Sequence, residues 1–335
     1  MSEQGRRDTA GEVNEPRVHI GPDAWEWLTA ADRVGRVGGH FRGGLNAVFS
    51  SEALVCLQSP TVPIHPWALV ADLPWGEVEE GASVTVSRGK LLVGRFVLPL
   101  AEAEVVDLTF HPPANVVSLE ELQERVALIE ELLAKTPDPF ESEFDRAFVR
   151  DRDRILAQWQ QTGDPEVLLG LIGRGPGTTP AGDDTLIGLL AGLEVLAAVA
   201  PGLAGSRLQA TRNMLRASRH YDTSLLASQA LYSAAFNRFP EPLLQVQTAV
   251  LGQQVPRPVA LDASRDIHAA GRTTGRSALL GLVVPLGSRV LECMGRDCHW
   301  RTIGGLTPMP NRQPPRRTPA RVPRRPIVKY LSALP

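Results

Sequence analysis

The stretch RGPGTTPAGDDTLIGLL (residues 174–190) places three glycines and two prolines before two adjacent aspartates and continues into an apolar segment. Glycine permits backbone conformations and close approaches that a Cβ would block, while proline stiffens the path of the chain. Such a loop presents backbone N–H groups in a fixed arrangement, which is how anions are held at helix N-termini. The continuation, LIGLLAGLEVL (186–196), is hydrophobic on nearly all sides and predicts a buried central helix.

This segment contains a glycine pair and an aspartate pair, and the aspartate pair allows two interpretations. Gly188 and Gly192 are four residues apart, so they predict the close approach of another helix. Asp183 or Asp184 can cap the central helix by accepting hydrogen bonds from its first N–H groups. Capping explains one aspartate, whereas a second adjacent carboxylate calls for a metal, a cationic side chain or a substrate N–H group nearby. Capping alone and a polar site both remain open at this point.

Known phosphate loops do not fit this segment. The sequence has no GK[ST] after the glycines, and their spacing does not continue as GxGxxG behind an obvious strand. The sequence therefore does not support a nucleotide site.

Two later helices also begin after loops rich in Gly, Thr, Ser or Asp. In RHYDTSLLASQAL (219–231), Asp222, Thr223 or Ser224 can cap a helix, which leaves other hydroxyls for a ligand. In HAAGRTTGRSALLGL (268–282), Arg272 and Arg276 flank the loop as a possible carboxylate or phosphate clamp, with solvated arginines as the alternative. We call the segments that precede these three helices the first, second and third helix entries.

If the three helix entries converge, they form a pocket with backbone donors, arginines and carboxylates. Such a pocket suits a small anion that also carries N–H groups. We assign Asp183 and Asp184 as the candidate catalytic residues, and we leave metal and cofactor unassigned. The candidate substrate-binding residues are Gly175, Gly177, Thr178, Thr179, Gly182, Ser224, Arg272, Thr273, Thr274 and Gly275.

The pattern along the rest of the chain predicts an α+β fold with a β-rich N-terminal domain (17–113) and a mainly α-helical domain (114–305) that contains the buried central helix. Residues 1–16 and the Pro- and Arg-rich residues 306–335 are predicted to be disordered. SRGK (87–90) is typical of a hairpin turn. The predicted strands are ALVCL (53–57), WALVADL (67–73), SVTVS (83–87), LLVGRFVLPL (91–100) and EVVDL (104–108).

From residue 118 the apolar spacing becomes helical. SLEE (118–121) predicts a capping box, and the next helix, near 141–161, is expected to bury Phe144, Phe148, Ile155 and Trp159. Further helices are predicted near 183–199, 204–218, 224–238, 241–252, 261–270 and 276–284.

Composition predicts a cytoplasmic globular protein. Hydrophobic residues make up 43% and charged residues 21%, which allows a sizeable core. Three cysteines are too few for a disulfide framework, and the N-terminus lacks the apolar region of a signal peptide. The apolar run near 185–203 is interrupted by Glu194 and Pro201 and is too short to span a membrane. The net charge is −2, with seven basic and no acidic residues in 309–335, so nucleic-acid contact by this tail is only a minor alternative.

Other catalytic patterns are weaker. Cys293, Cys298 and His299 could bind zinc, but a fourth ligand at the usual spacing is missing. His220 and His268 lie beside two helix entries and could act as acid or base, although exposed loop histidines are common. No Gly-x-Ser-x-Gly elbow is present, so serine hydrolase chemistry has no support.

GRGPGTTPAGDDTLIGLLAG (173–192) resembles the signature GxGPGLTPxGDDxLxGxLAG of the AllH-like proteins. GRTTGRSALLGL (271–282) is similar to the family's GHTSGxDxLxG, and the resemblance extends over roughly residues 20–285. The matching positions are Gly173, Gly175, Pro176, Gly177, Thr179, Pro180, Gly182, Asp183, Asp184, Thr273, Gly275 and Gly281. Arg272, Thr274 and Ser277 depart from the family pattern, which has His, Ser and Asp there, and the missing acid puts a catalytic or metal role for the third entry in doubt.

The resemblance implies a subunit of an oxamate carbamoyltransferase in allantoin breakdown, with FdrA-like and AllG-like subunits as partners. It implies phosphorolysis of oxalurate to oxamate and carbamoyl phosphate, or a related carbamoyl or acyl transfer. These substrates are small anions with amide N–H groups, in agreement with the pocket chemistry above. A stand-alone metal-dependent enzyme and a non-catalytic anion-binding or regulatory protein remain the alternatives.

Overall fold

A computed structural model describes residues 17–49, 53–136, 142–218, 222–269, 271 and 273–287. The two segments predicted to be disordered, 1–16 and 306–335, lie outside the described residues. So do Arg272, His220 and the Cys293, Cys298 and His299 group.

The fold is α+β, as predicted. The described strands form one mixed sheet of nine strands in the order β8-β7-β6-β2-β3-β4-β5-β1-β9. Neighbouring strands are antiparallel except for the β4–β5 and β1–β9 pairs, which are parallel. The strands are β1 (His19–Ile20), β2 (Arg33–Phe41), β3 (Gly44–Phe49), β4 (Ala53–Gln58), β5 (Ala68–Val70), β6 (Ser83–Ser87), β7 (Lys90–Val93), β8 (Phe96–Pro99) and β9 (Glu104–Val105).

The predicted strands are confirmed with shifted bounds. Residues 91–100 form parts of two strands, because the chain reverses at Gly94, which has φ 56°. The hairpin turn between β6 and β7 is confirmed, with positive φ at Arg88 (51°) and Gly89 (71°), as a type I′ turn requires. The sequence interpretation missed β1, β2 and β3, and also the short helix α1 (Pro22–Thr29).

The C-terminal part is helical, as predicted. Its helices are α2 (Leu119–Lys135), α3 (Glu143–Thr162), α4 (Ala181–Val199), α5 (Pro201–Ala217), α6 (Leu225–Ala235), α7 (Glu241–Leu251), α8 (Arg257–His268) and α9 (Thr274–Val283). A 3-10 helix, Pro165–Leu171, precedes the first helix entry.

Two local predictions in this part were wrong. Ser118 caps α2 by accepting from the N–H of Glu121 at 3.2 Å, but the Glu121 carboxylate is held by Arg125 and Arg257 and does not complete a capping box. The described capping box lies at α3, between Ser142 and Asp145. Phe144, in the first turn of α3, is 73% exposed rather than buried, and the buried residues of the helix begin at Phe148.

The centre of the helical part is α4. Its residues 181–196 are all buried, and α5, α6, α7 and α9 pack around it, which confirms the prediction from its apolar sequence. The partner that approaches Gly188 and Gly192 is α9. A Cβ on Gly188 would clash with the carbonyl oxygen of Ala278, and one on Gly192 would clash with that of Leu282.

These contacts also fix the direction of α9. Gly188 meets Ala278, and Gly192, one turn further along α4, meets Leu282, one turn further along α9. The two helices therefore run parallel and begin at the same end. On the α9 side, a Cβ on Gly281 would clash with the carbonyl oxygen of Thr185, so the close approach needs glycine on both helices.

The sheet positions α6, the helix that follows the second entry. The N–H of Leu54 on β4 donates to Gln229 Oε1 at 3.1 Å, and the Trp67 indole donates to Ser233 Oγ at 3.1 Å. The hydroxyl of Ser233 in turn donates to the buried carboxylate of Asp23 on α1, which Arg238 also contacts. Of the described helices, none combines the length and apolar character needed to cross a bilayer.

Replacing Gly188 by Ala should destabilise the fold, because the new methyl group cannot be accommodated without moving the backbone of α9. We expect the free energy of unfolding to fall by about 1–3 kcal/mol, the usual range for overpacking. Gly205→Ala is the matched control, since a Cβ on this α5 glycine meets nothing within 4 Å. It should raise stability by about 0.5–1 kcal/mol through helix propensity. Denaturant unfolding of both variants tests this, and a neutral Gly188→Ala would contradict the described packing.

Candidate functional site

The three helix entries meet at the common end of α4 and α9. The buried aspartates in the first turn of α4 make the connections. Asp183 is bonded to the first and second entries, and Asp184 is bonded to the first and third. The structure therefore brings together the three loops whose convergence the sequence left as a hypothesis.

Asp183 is fully buried, and its two oxygens have different partners. Oδ1 accepts a hydrogen bond from the backbone N–H of Gly173 at 3.0 Å, and Oδ2 accepts one from the Thr223 hydroxyl. Burial raises the pKa of this carboxyl above its ordinary value, and the two hydrogen bonds oppose that rise. The side chain thus ties the first entry to the second.

Asp184 is 4% exposed and is held by hydroxyl groups. Its Oδ2 accepts from Thr179 Oγ1 at 3.2 Å, and a hydrogen bond to Thr274 joins it to the third entry. The hydroxyls of Thr179 and Thr274 lie 3.1 Å apart. Burial raises the pKa of Asp184 to about 7, the neighbouring Asp183 adds to the rise, and the threonine hydrogen bonds oppose it. This carboxyl therefore changes its protonation state near neutral pH.

Neither aspartate is the N-cap of α4, so the capping interpretation was wrong. The N-cap position is Pro180, and within the described chain no side chain caps it. Pro180 is followed by Ala181 and Gly182, which places Asp183 and Asp184 late in the first turn, where their side chains reach outward to the other loops. The positive end of the helix dipole still favours their negative charge there.

The second entry supplies a true cap. Ser224 is the N-cap of α6, and its hydroxyl accepts from the N–H of Ala227 at 3.3 Å. The same hydroxyl lies 3.4 Å from the carbonyl oxygen of Thr178 in the first entry. Thr223, which the sequence left as a possible cap or ligand-facing hydroxyl, is the partner of Asp183. Its place next to a capping serine offered no signal that separated the two roles.

Glycine is required in the first entry on conformational grounds. Gly173, Gly175 and Gly177 have φ values of 69°, 93° and 115°, a region that side chains with a Cβ rarely adopt. Gly182 has a packing reason, because a Cβ there would clash with the carbonyl oxygen of Leu171. Gly175 lies against the ring of Phe148 on α3, where a Cβ would clash with that ring.

Of the two arginines in the third entry, the structure describes Arg276. Its Nη1 donates to the carbonyl oxygen of Leu133 at 3.0 Å and to that of Thr136 at 3.3 Å, at the C-terminal end of α2. It stabilises that helix end, whose free carbonyls attract a cation. Arg272 lies outside the described residues. Thr273 and Gly275 are buried in this entry, and Thr274 is exposed.

Two further polar groups lie near this entry. Ser277, at the position where the family pattern has Asp, is 1% exposed, and among the described residues its hydroxyl has no hydrogen-bond partner. His268 ends α8, and its Nε2 is likewise without a described partner. Burial, with Arg276 as a smaller cause, lowers the pKa of His268.

The described residues contain no cluster of side chains that could bind a metal ion. Within the described ranges, no three side chains of His, Cys, Asp or Glu come close enough together to hold an ion. Cys56, the cysteine that the structure describes, is buried in β4, and burial raises the pKa of its thiol to about 12.

Asp184 predicts a specific pH dependence of stability. Because its pKa is about 7 in the folded chain and 3.8 in the unfolded chain, the folded state binds more protons between these values. The free energy of unfolding should therefore fall as the pH rises through this window. Relative to Asp184→Asn, the wild type should lose on the order of 4 kcal/mol between pH 4 and pH 8.

Denaturant unfolding of both proteins across that range measures this difference. Asp222→Asn, which alters an exposed acid of the second entry, is the control and should follow the wild type. A constant difference between wild type and Asp184→Asn at every pH would contradict the raised pKa.

Comparison with known proteins bears on the same segment. The chain has no match among the curated proteins or the solved structures. The family model described as oxamate carbamoyltransferase subunit AllH matches residues 171–286, from the end of the 3-10 helix to just beyond α9. The matched range includes the three helix entries and both aspartates, while the sheet lies outside it. The match confirms the AllH-like resemblance: the segment that builds the candidate site is similar to the AllH subunit of oxamate carbamoyltransferase.

Proposed function

We propose that this protein is a subunit of an oxamate carbamoyltransferase-like complex and that the helix-entry site takes part in carbamoyl transfer. The observation that carries the proposal is the placement of Asp184. It is a buried carboxyl with a pKa of about 7 that lies among threonine hydroxyls where two parallel helices begin. The AllH family match over the same residues supports the assignment to such a complex.

The site has the parts that an anionic amide substrate needs. The N-termini of α4, α6 and α9 direct the positive ends of their dipoles toward one region, and the first N–H groups of α4 (residues 181–184) already donate to carbonyl oxygens of the first entry. An oxyanion binds favourably in such a field, while the threonine oxygens accept hydrogen bonds from N–H groups. Candidate ligand-binding groups are the backbone of Gly177 and the hydroxyls of Thr178, Thr179, Ser224, Thr273 and Thr274. The backbone N–H of Gly182, which the sequence also suggested, already donates to the carbonyl oxygen of Arg174 at 2.8 Å.

The two aspartates take different roles in this proposal. Asp183 is fully buried and both its oxygens are occupied, so it positions the loops. Asp184 is the acid–base group. In oxalurate phosphorolysis a phosphate oxygen attacks the carbamoyl carbon and the bond from that carbon to the oxamate nitrogen breaks. Protonated Asp184 gives its proton to the departing nitrogen and regains one from the attacking phosphate, and a group with a pKa near 7 suits both transfers at neutral pH.

The partners in the proposal are FdrA-like and AllG-like subunits, and the place of action is the cytoplasm, in purine and allantoin catabolism. The substrate is a small anionic carbamoyl or acyl compound together with phosphate. The stand-alone metal enzyme has no observation in its favour, because the aspartates already have hydroxyl and N–H partners.

The first experiment is gentle purification of a tagged copy from the native host, followed by mass spectrometry of the proteins that accompany it. We expect FdrA-like and AllG-like chains. If the protein is recovered alone and binds small anions without turnover, the non-catalytic alternative replaces the transferase subunit.

A second experiment tests Asp184 in the recovered complex. Asp184→Asn should lower kcat for oxalurate phosphorolysis by about 100-fold or more, the usual contribution of a positioned acid–base group. Asp222→Asn should leave kcat within about twofold, because removal of an exposed charge has a small effect. Equal kcat for wild type and Asp184→Asn, with the complex intact, would exclude the acid–base role.

A further inference from the structure

A cavity lies between the first helix entry and α3. It encloses about 190 Å³ and is lined by the arginines Arg152, Arg154 and Arg174 and by the rings of Phe144 and Phe148. Sites for drug-sized ligands span about 300–1,000 Å³, so this cavity suits one small molecule. It is separate from the aspartate site, because neither Asp183 nor Asp184 lines it and both carboxyls bond to other residues.

Positive side chains outnumber negative ones among the residues that line this cavity, which include three arginines and one acid, Asp151. Arg154 pairs with Asp151 at 3.5 Å, and both side chains are exposed. Among the described residues, no carboxylate pairs with Arg174, which lies in the glycine loop and is exposed. An unpaired guanidinium at a cavity wall is a ready partner for a carboxylate or phosphate.

Only some of the hydrogen-bond donors of the buried arginine, Arg152, have partners among the described residues. Arg152 is 5% exposed, and Asp153 Oδ1 accepts a hydrogen bond from its Nε at 2.9 Å and lies 2.9 Å from its Nη2 in an ion pair. The remaining nitrogen, Nη1, donates to no other residue in the described part of the chain. A charged group held so far from water, with donors to spare, favours an oxyanion at the cavity.

The remaining wall is apolar. The Phe148 ring is 7% exposed and packs against Ala181 at the start of α4, and the Arg152 guanidinium lies 5.9 Å from the ring centroid. Ile155 and Leu171 extend this wall, and Phe144 stands at the rim, 73% exposed. An exposed aromatic ring beside a small cavity offers a stacking face to a flat ligand.

We infer that this cavity binds a small organic oxyanion, a carboxylate or phosphate attached to a flat apolar group. The oxyanion bonds to Arg174 and to Nη1 of Arg152, and the flat group packs between Phe144 and Phe148. This inference goes beyond the proposed carbamoyl transfer and does not depend on it.

Calorimetric titration of the full-length protein tests the inference with four probes: phenyl phosphate, benzoate, phenol and inorganic phosphate. Phenyl phosphate, benzoate or both should bind saturably, and their order tells whether phosphate or carboxylate is preferred. Phenol lacks the oxyanion and inorganic phosphate lacks the flat apolar group, so each should bind at least about tenfold more weakly. Absence of saturable binding by both organic anions, or equal binding of inorganic phosphate, would overturn the inference.

Variants of residues that line the cavity test whether the anion binds there. Arg174→Gln should weaken the organic anion by about tenfold or more, and Phe144→Ala should weaken it by at least about threefold. Both side chains are exposed, so the fold should tolerate their loss. Arg150→Gln, an exposed arginine on α3 that does not line the cavity, is the matched control and should bind as the wild type does. Equal affinities for Arg174→Gln and Arg150→Gln would place the bound anion elsewhere.

Discussion

The backbone contact between α4 and α9 determines the positions of the groups at the candidate site. Glycines on both helices remove the Cβ atoms that would separate them, so the carbonyl oxygens of Thr185, Ala278 and Leu282 lie against the facing helix. Because the contact repeats one turn apart, it fixes both the distance and the parallel direction of the helices. Their first turns then lie side by side, and the first and third entries have to meet.

Asp183 and Asp184 hold the three helix entries in a fixed arrangement at the common end of α4 and α9. A buried carboxylate without partners is strongly unfavourable, so each aspartate requires donors, and the donors here come from loops far apart in sequence. The partners also distinguish the two residues. Asp183 has a backbone N–H and a hydroxyl, whereas Asp184 has hydroxyls alone, which stabilise either protonation state because a hydroxyl can donate or accept.

The sequence predicted the parts of this structure that depend on local pattern. The buried α4, the close helix at Gly188 and Gly192, the β6–β7 turn and the α+β class follow from periodicity and glycine placement, and the structure confirms them. Strand β2 was missed because RVGRVGGHF has five glycines or arginines that interrupt the apolar alternation. The sequence left capping and a polar site open for the aspartates, because a sequence shows proximity to a helix start but not the direction of a side chain. It left a clamp or a solvated side chain open for Arg276 for the same reason, since its partners at the end of α2 lie more than 130 residues earlier.

Parallel neighbouring helices carry an electrostatic conflict, because their like dipole ends are adjacent and repel. In this protein the conflict is concentrated where α4 and α9 begin. Ionised Asp184 relieves it, but burial favours the neutral form of the same carboxyl, so relief is incomplete near neutral pH. An anion bound at this end, as proposed above, would supply negative charge where the two dipoles meet. Its binding would then be thermodynamically linked to the cohesion of the helical core.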